Sequence, residues 1–222
     1  AGRHGGVDGA GLVALAAVLW AFVLRDLQPV DGSFELRWWW MIPAFALVEI
    51  MVVHLDVNRE AQTISLSELP LIFALFFAAP AELIWSQAVG AGLALLLYRR
   101  QSAMKVIFNL GQSALWAMVA IGVFRLLLPE GDPMGWQAWL AALAATMCAD
   151  AASAALVSTA IGLLERWTMP GLTTFIGMGA VSTFANTALG LLGVALVRND
   201  PISAALIVVP VIVTYLAYVG FW

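Results

Sequence analysis

Along the chain, apolar runs alternate with short polar breaks, and each run can be judged against the roughly 20 residues needed to cross about 30 Å of hydrocarbon. Runs at 9–24, 38–54, 81–98, 104–128, 136–164 and 174–197 are long enough once interfacial ends are allowed for, and a last run covers 202–222. The pattern predicts about seven spans. One stretch does not fit it: "ISLSELPLIFALFFAAPAE", residues 64–82, sets two carboxylates and two prolines in and around an apolar run too short to cross. As a single helix, residues 66–98 would extend roughly 50 Å at 1.5 Å per residue. "AAPAE" therefore divides them into a short broken helix, 65–80, and a full span. Pro80 suits the first turn of that span, where its missing N–H costs nothing.

Local chemistry accounts for part of the short helix. "SLSE" has the form of a capping box, with Ser65 accepting from the Glu68 N–H and Ile64 and Leu69 as a hydrophobic staple. A start at Ser67 is the alternative, and it keeps Pro70 in the first turn. From either start Glu68 lies near a helix N-terminus, where the macrodipole favours negative charge, and Glu82 has the same place after Pro80. Both acids thus have a plain structural reading. The functional reading is that a helix of roughly 20 Å must end inside the protein or in a polar cavity, and such an end suits a small polar or anionic ligand.

Composition fixes the setting. The chain is 63% hydrophobic and 11% charged with ten Trp, and its mean hydropathy is +0.94, far outside soluble domains with their roughly 25% charged residues. The reading is an all-α, polytopic membrane helix bundle, a single transmembrane domain over 1–222 in contact with the lipid bilayer. The N-terminal run reads as a first span rather than a cleavable signal. The net charge of −4 and scattered basic residues exclude nucleic acid as a partner. Lone Cys148 reads as a small core residue.

Orientation rests on the basic loop 99–105, "RRQSAMK", assigned to the cytoplasm by the positive-inside rule. Counting from it places Arg3, Arg59, Arg99, Arg100, Lys105 and Arg166 inside and Arg25, Arg37, Arg125 and Arg198 outside. Both termini are then cytoplasmic. Trp38, Trp39, Trp40, Trp136 and Trp139 fall at outer boundaries and Trp167 at an inner one, as an aromatic belt would.

Catalytic motifs are missing: no glycine-rich phosphate loop, no G-x-S-x-G elbow and no Cys/His cluster of metal-ligand spacing. With only His4 and His54, histidine triads and multi-histidine metal sites are excluded. The chain reads as no enzyme, without cofactor or metal. Asp150, mid-helix, is a functional candidate because a charge there is costly in lipid. The structural alternative is an Asp hydrogen-bonded to Asn109 or Asn186. Glu49 reads as an ion pair with His54 or Arg59. Asn109 reads as an interhelical hydrogen bond, with Gln112 one turn along. Small residues at four-residue spacing, Ala141, Ala145, Ala149 and Ser153 or Gly179, Thr183 and Thr187, predict close helix packing and a dimer face.

The "H-L-x-x-x-R-E-A" entry (His54, Leu55, Arg59, Glu60, Ala61), the "S-L-S-E-x-P-L" turn from Ser65 to Leu71, the "F-F-x-x-P" break, the "R-R" loop and "K-x-x-F-N-L" from Lys105 to Leu110 carry a family resemblance. Over roughly 38–120 the chain resembles the N-terminal membrane module of actinobacterial cyclic-di-GMP signalling proteins. The resemblance implies a homodimeric sensor domain in a bacterial cytoplasmic membrane. It also implies diguanylate cyclase or phosphodiesterase output domains, absent from this chain, beyond Trp222 in a longer protein. Ligand or membrane state would change helix packing, and the last helix would pass the change on. The candidate ligand-binding residues are Arg59, Glu60, Ser67, Glu68, Asn109 and Asp150, and the capping residues are Ser65, Pro70, Pro80 and Glu82. The alternative is the substrate-binding subunit of a micronutrient transporter. An intramembrane hydrolase using Asp150 lacks a second carboxylate at suitable sequence spacing.

Overall fold

The computed structural model describes residues 27–57, 60–128, 135–165 and 172–220, together with Gly11. The chain is a helical bundle. Its elements are α1 (Trp38–Ile50), strands β1 (Val53–Val57) and β2 (Glu60–Ile64), α2 (Glu68–Phe77), α3 (Pro80–Leu93) prolonged by a π turn (Ala94–Tyr98), α4 (Ala103–Leu127), α5 (Trp136–Glu165), α6 (Leu172–Asn199), a 3-10 turn (Pro201–Ile207) and α7 (Val208–Gly220). Among the described residues four helical stretches are long and apolar enough to cross a membrane: Pro80–Tyr98, Ala103–Leu127, Trp136–Val157 and Gly179–Asn199.

The sequence pattern and the structure part in three places. The run at 38–54 ends as a helix at Ile50, 13 residues long, because the chain then turns into an antiparallel hairpin that pairs Val53 with Ile64 and Val57 with Glu60. A plain loop was expected there in an all-α fold, but alternating "VHLDV" and "EAQTI" form a ladder instead. The run at 202–222 is divided, since Asp200 accepts from the Ile202 N–H at 3.2 Å and starts a 3-10 turn before α7. The run at 9–24 and Trp167 lie outside the described residues.

The break between α2 and α3 has a clear cause. Ala78 and Ala79 are extended, at ψ 153° and 140°, as the residues before a proline prefer, and Pro80 opens α3. Only 10 residues long, α2 is buried nearly all round, with Leu71, Ile72 and Phe76 fully enclosed. It packs mainly against α6 and touches α1, α3, α4 and α5 as well.

Hydrocarbon tails are as apolar as leucine, so helices in a bilayer associate by close van der Waals packing. Glycine and alanine supply the approach. A Cβ at Gly90 would meet the Ile42 carbonyl oxygen at 2.5 Å, which seats α3 directly on α1; a Cβ at Gly193 would meet the Phe73 ring at 2.6 Å, which seats α6 on α2. Ala141, Ala145 and Ala149 of α5 are buried within the bundle, so the small-residue stripe serves packing inside one chain. Cys148, expected in the core, is exposed, because α5 turns its neighbour Ala149 inward.

Candidate functional site

Three long helices bring polar side chains to one level. Trp116 lies near the middle of α4, Asp150 of α5, and Thr183, Asn186 and Thr187 of α6. Each is roughly 20 Å along its helix at 1.5 Å per residue. The N-terminal end of α2 meets this level, and its opposite end lies roughly 15 Å away. Glu68 is therefore carried into the bundle centre by a helix too short to reach the far side.

Glu68 is buried, and its Oε2 accepts from Asn186 Nδ2 at 3.0 Å. The same amide nitrogen donates to the Ser65 carbonyl at 2.9 Å. Asn186 thereby fixes both the carboxyl and the chain entering α2. Asp150 Oδ1 accepts from the Trp116 indole N–H at 2.6 Å, and its Oδ2 accepts from the Thr183 hydroxyl. Thr183 and Asn186, which bond the two carboxyls, lie within one turn of each other on α6, so Asp150 and Glu68 share this level while each bonds to other groups. Thr146 and Thr187 meet at 2.9 Å, and Gln112 donates to Ser153 at 2.8 Å. These bonds tie α2, α4, α5 and α6 together through side chains that a bilayer cannot solvate.

Several sequence assignments change. The capping box does not form: Ser65 Oγ accepts from the Ser67 N–H at 3.2 Å, and Ser67 makes no side-chain cap. The loop bends before the helix begins, so Ser65 closes a turn. Asp150 bonds to Trp116 and Thr183 rather than to Asn109 or Asn186. Asn109 reaches back to Gln101 in the α3–α4 turn at 2.9 Å instead of crossing to another span. Glu49 pairs with Arg99 at 3.3 Å, because the π turn brings the end of α3 beside the end of α1. Arg59 and the side chains of His54 and Glu60 lie outside the described residues. The structure thus brings together Glu68 and Asp150, leaves Asn109 at the basic turn, and puts Glu82 at the opposite end of the bundle. Pro70 lies in the first turn of α2, and Pro80 is the first residue of α3.

Sequence spacing hid the second carboxylate. Glu68 and Asp150 are far apart along the chain, and only the packing of α2 and α5 on α6 brings them to one level. Trp116 was also missed, yet it left a signal: an indole mid-span, away from the interfacial belt, needs an acceptor.

A second concave feature lies at the other end of α2. A cleft of about 510 Å3 is lined by residues 28, 29, 31, 32 and 34–37 of the segment leading into α1, by Trp38 and Trp39 of α1, by Phe77, and by Ala79 and Glu82 at the α3 start. The segment is held down by the Asp31 N–H, which donates to the Phe76 carbonyl at 2.8 Å, and by the Arg125 guanidinium, which donates to the Gln28 carbonyl. Among the described residues, no group of three or more His, Cys, Asp or Glu side chains could hold a metal ion.

The chain matches no protein-family model, no curated protein and no solved structure in these comparisons.

Proposed function

We propose that this protein is a membrane-embedded sensory and anchoring module in a bacterial cytoplasmic membrane, with about seven spans and both termini on the cytoplasmic side. It regulates a cytoplasmic output in cyclic-di-GMP synthesis or breakdown. One observation carries the sensory part: a helix of 10 residues, buried nearly all round, delivers the Glu68 carboxyl to the mid-bundle level that holds Asp150. Ionisable groups at that depth are costly and mark a functional site by default, and here four helices converge on them. A change in the hydrogen bonding or protonation of the pair alters how α2 and α6 seat, and α6 leads through the 3-10 turn into α7. The cyclic-di-GMP assignment rests on the sequence resemblance around Ser65–Leu71 and Lys105–Leu110.

The test is Glu68→Gln in the full-length native protein, reading cyclic-di-GMP turnover and thermal unfolding side by side. The expected result is altered turnover with little change in unfolding. Equal loss of both assigns Glu68 a purely structural role, and unchanged turnover removes the sensory reading. A second reading, a substrate-binding transporter subunit, has the same Glu68 and Asp150 carboxyls hold the transported molecule. It expects the purified chain to retain a small molecule whose release follows Glu68→Gln or Asp150→Asn.

A further inference from the structure

The cleft beside Trp38 and Trp39 is separate from the mid-bundle carboxyls, and its lining has a definite chemical bias. Its volume, about 510 Å3, falls within the roughly 300–1,000 Å3 of small-molecule sites. Phe34 packs edge-on against Phe77, centroids 5.5 Å apart and planes at 78°, which gives the cleft a fixed aromatic wall. Trp38 and Trp39 are each about half exposed. The Arg37 guanidinium already lies 5.5 Å from the Trp39 ring centroid, so that ring is placed to receive a cation.

The polar lining is acidic. Among the described lining residues the acids are Asp31, Glu35 and Glu82 and the one cation is Arg37, with Asp31 also paired to Arg198 from α6. Asp31 is only 5% exposed. Its Oδ1 accepts from the Ser33 N–H at 2.8 Å, while its Oδ2 lies 3.5 Å from Arg198 Nε and accepts no hydrogen bond among the described residues. The Arg198 guanidinium thus already balances the Asp31 charge, which leaves Glu35 and Glu82 as the acids open to a ligand. The carboxylates do not converge as a metal site would. Acid plus aromatic faces, without convergent oxygen ligands, selects an organic cation over a metal ion, and the charge balance disfavours anions.

We propose that this cleft binds a small organic ammonium ion of about choline size, its cationic head against Trp38 and Trp39 and its charge balanced by Glu35 and Glu82. The proposal is independent of the signalling reading and of the Glu68–Asp150 layer. Such a head comes either free in solution or as a lipid headgroup.

The experiment is a titration of the full chain in maltoside micelles with choline and with its neutral isostere 3,3-dimethyl-1-butanol, followed by intrinsic fluorescence and by thermal shift. Saturable binding of choline, roughly tenfold or more tighter than of the isostere, is expected. The Glu35→Gln/Glu82→Gln double variant should weaken it about tenfold and leave ligand-free unfolding unchanged. Trp39→Leu should weaken it similarly, whereas Glu68→Gln should not. A response to added phosphatidylcholine but not to free choline assigns the same site to a lipid headgroup. Equal binding of choline and the isostere, an unaffected double variant, or no response to either source overturns the proposal.

Discussion

Two of the shorter apolar helices, α1 and α2, have fewer residues than the roughly 20 of a full span, yet they sit in opposite surroundings. Of α1, only Met41 and Phe45 are buried, and Trp38, Trp39, Trp40, Leu47 and Ile50 are exposed. In α2 almost every side chain is enclosed. α1 is a peripheral helix clamped at one seam, whereas α2 is the axis on which the others pack. The difference shows that an apolar helix shorter than a bilayer is stabilised either by a lateral clamp or by complete enclosure. It also separates their carboxyls: Glu68 of α2 is bonded by Asn186 inside the bundle, whereas Glu49 at the end of α1 pairs with the partly exposed Arg99.

The sharpest way to break the comparison is at the α1 clamp. At Gly90 the atom facing a new Cβ is a backbone carbonyl, which cannot rotate away, so Gly90→Val should cost about 3 kcal/mol or more. The check is thermal unfolding in detergent, with the variant expected to lose most of its folded fraction. Next comes the polar layer around α2. Trp116→Phe removes one donor from Asp150 and should cost about 1–2 kcal/mol, measurable as a lower unfolding midpoint; an unchanged midpoint would show that the indole bond contributes nothing.

Smaller effects sharpen the contrast. At Gly193 the facing atoms belong to the Phe73 ring, which can yield, so Gly193→Ala should cost about 1 kcal/mol. Parity between Gly193→Ala and Gly90→Ala would erase the distinction between a rigid and a yielding seam. Glu68→Gln keeps an acceptor for Asn186 and should change stability by less than about 1 kcal/mol, whereas Glu68→Ala should cost about 2 kcal/mol by leaving the amide underbonded.

How far these features were legible follows from their range along the chain. The break before Pro80 could be read because a proline and a length limit act locally, and the long spans because apolar runs of that length have one use. The hairpin was concealed by the basic and acidic residues of "NREAQ", which read as a loop. The partners of Asp150 were concealed for a different reason. Helix rotation decides whether Asp150 faces Thr183 or Asn186, and those two lie within one turn of each other on α6. Likewise, nothing in "SLSE" states that its glutamate will look outward to Asn186; the capping motif predicts only bonds within its own turn.

Consider finally α2 as a mechanical part. Phe77 lines the cleft and Glu68 lies in the carboxyl layer, with one uninterrupted helix between them. A helix resists compression along its axis, so it behaves as a strut with a bearing at each end. One bearing is the Asp31 N–H on the Phe76 carbonyl; the other is the Asn186 amide on Glu68 and Ser65. The cleft end and the midpoint of this bundle are thus joined by one rigid element held at both ends.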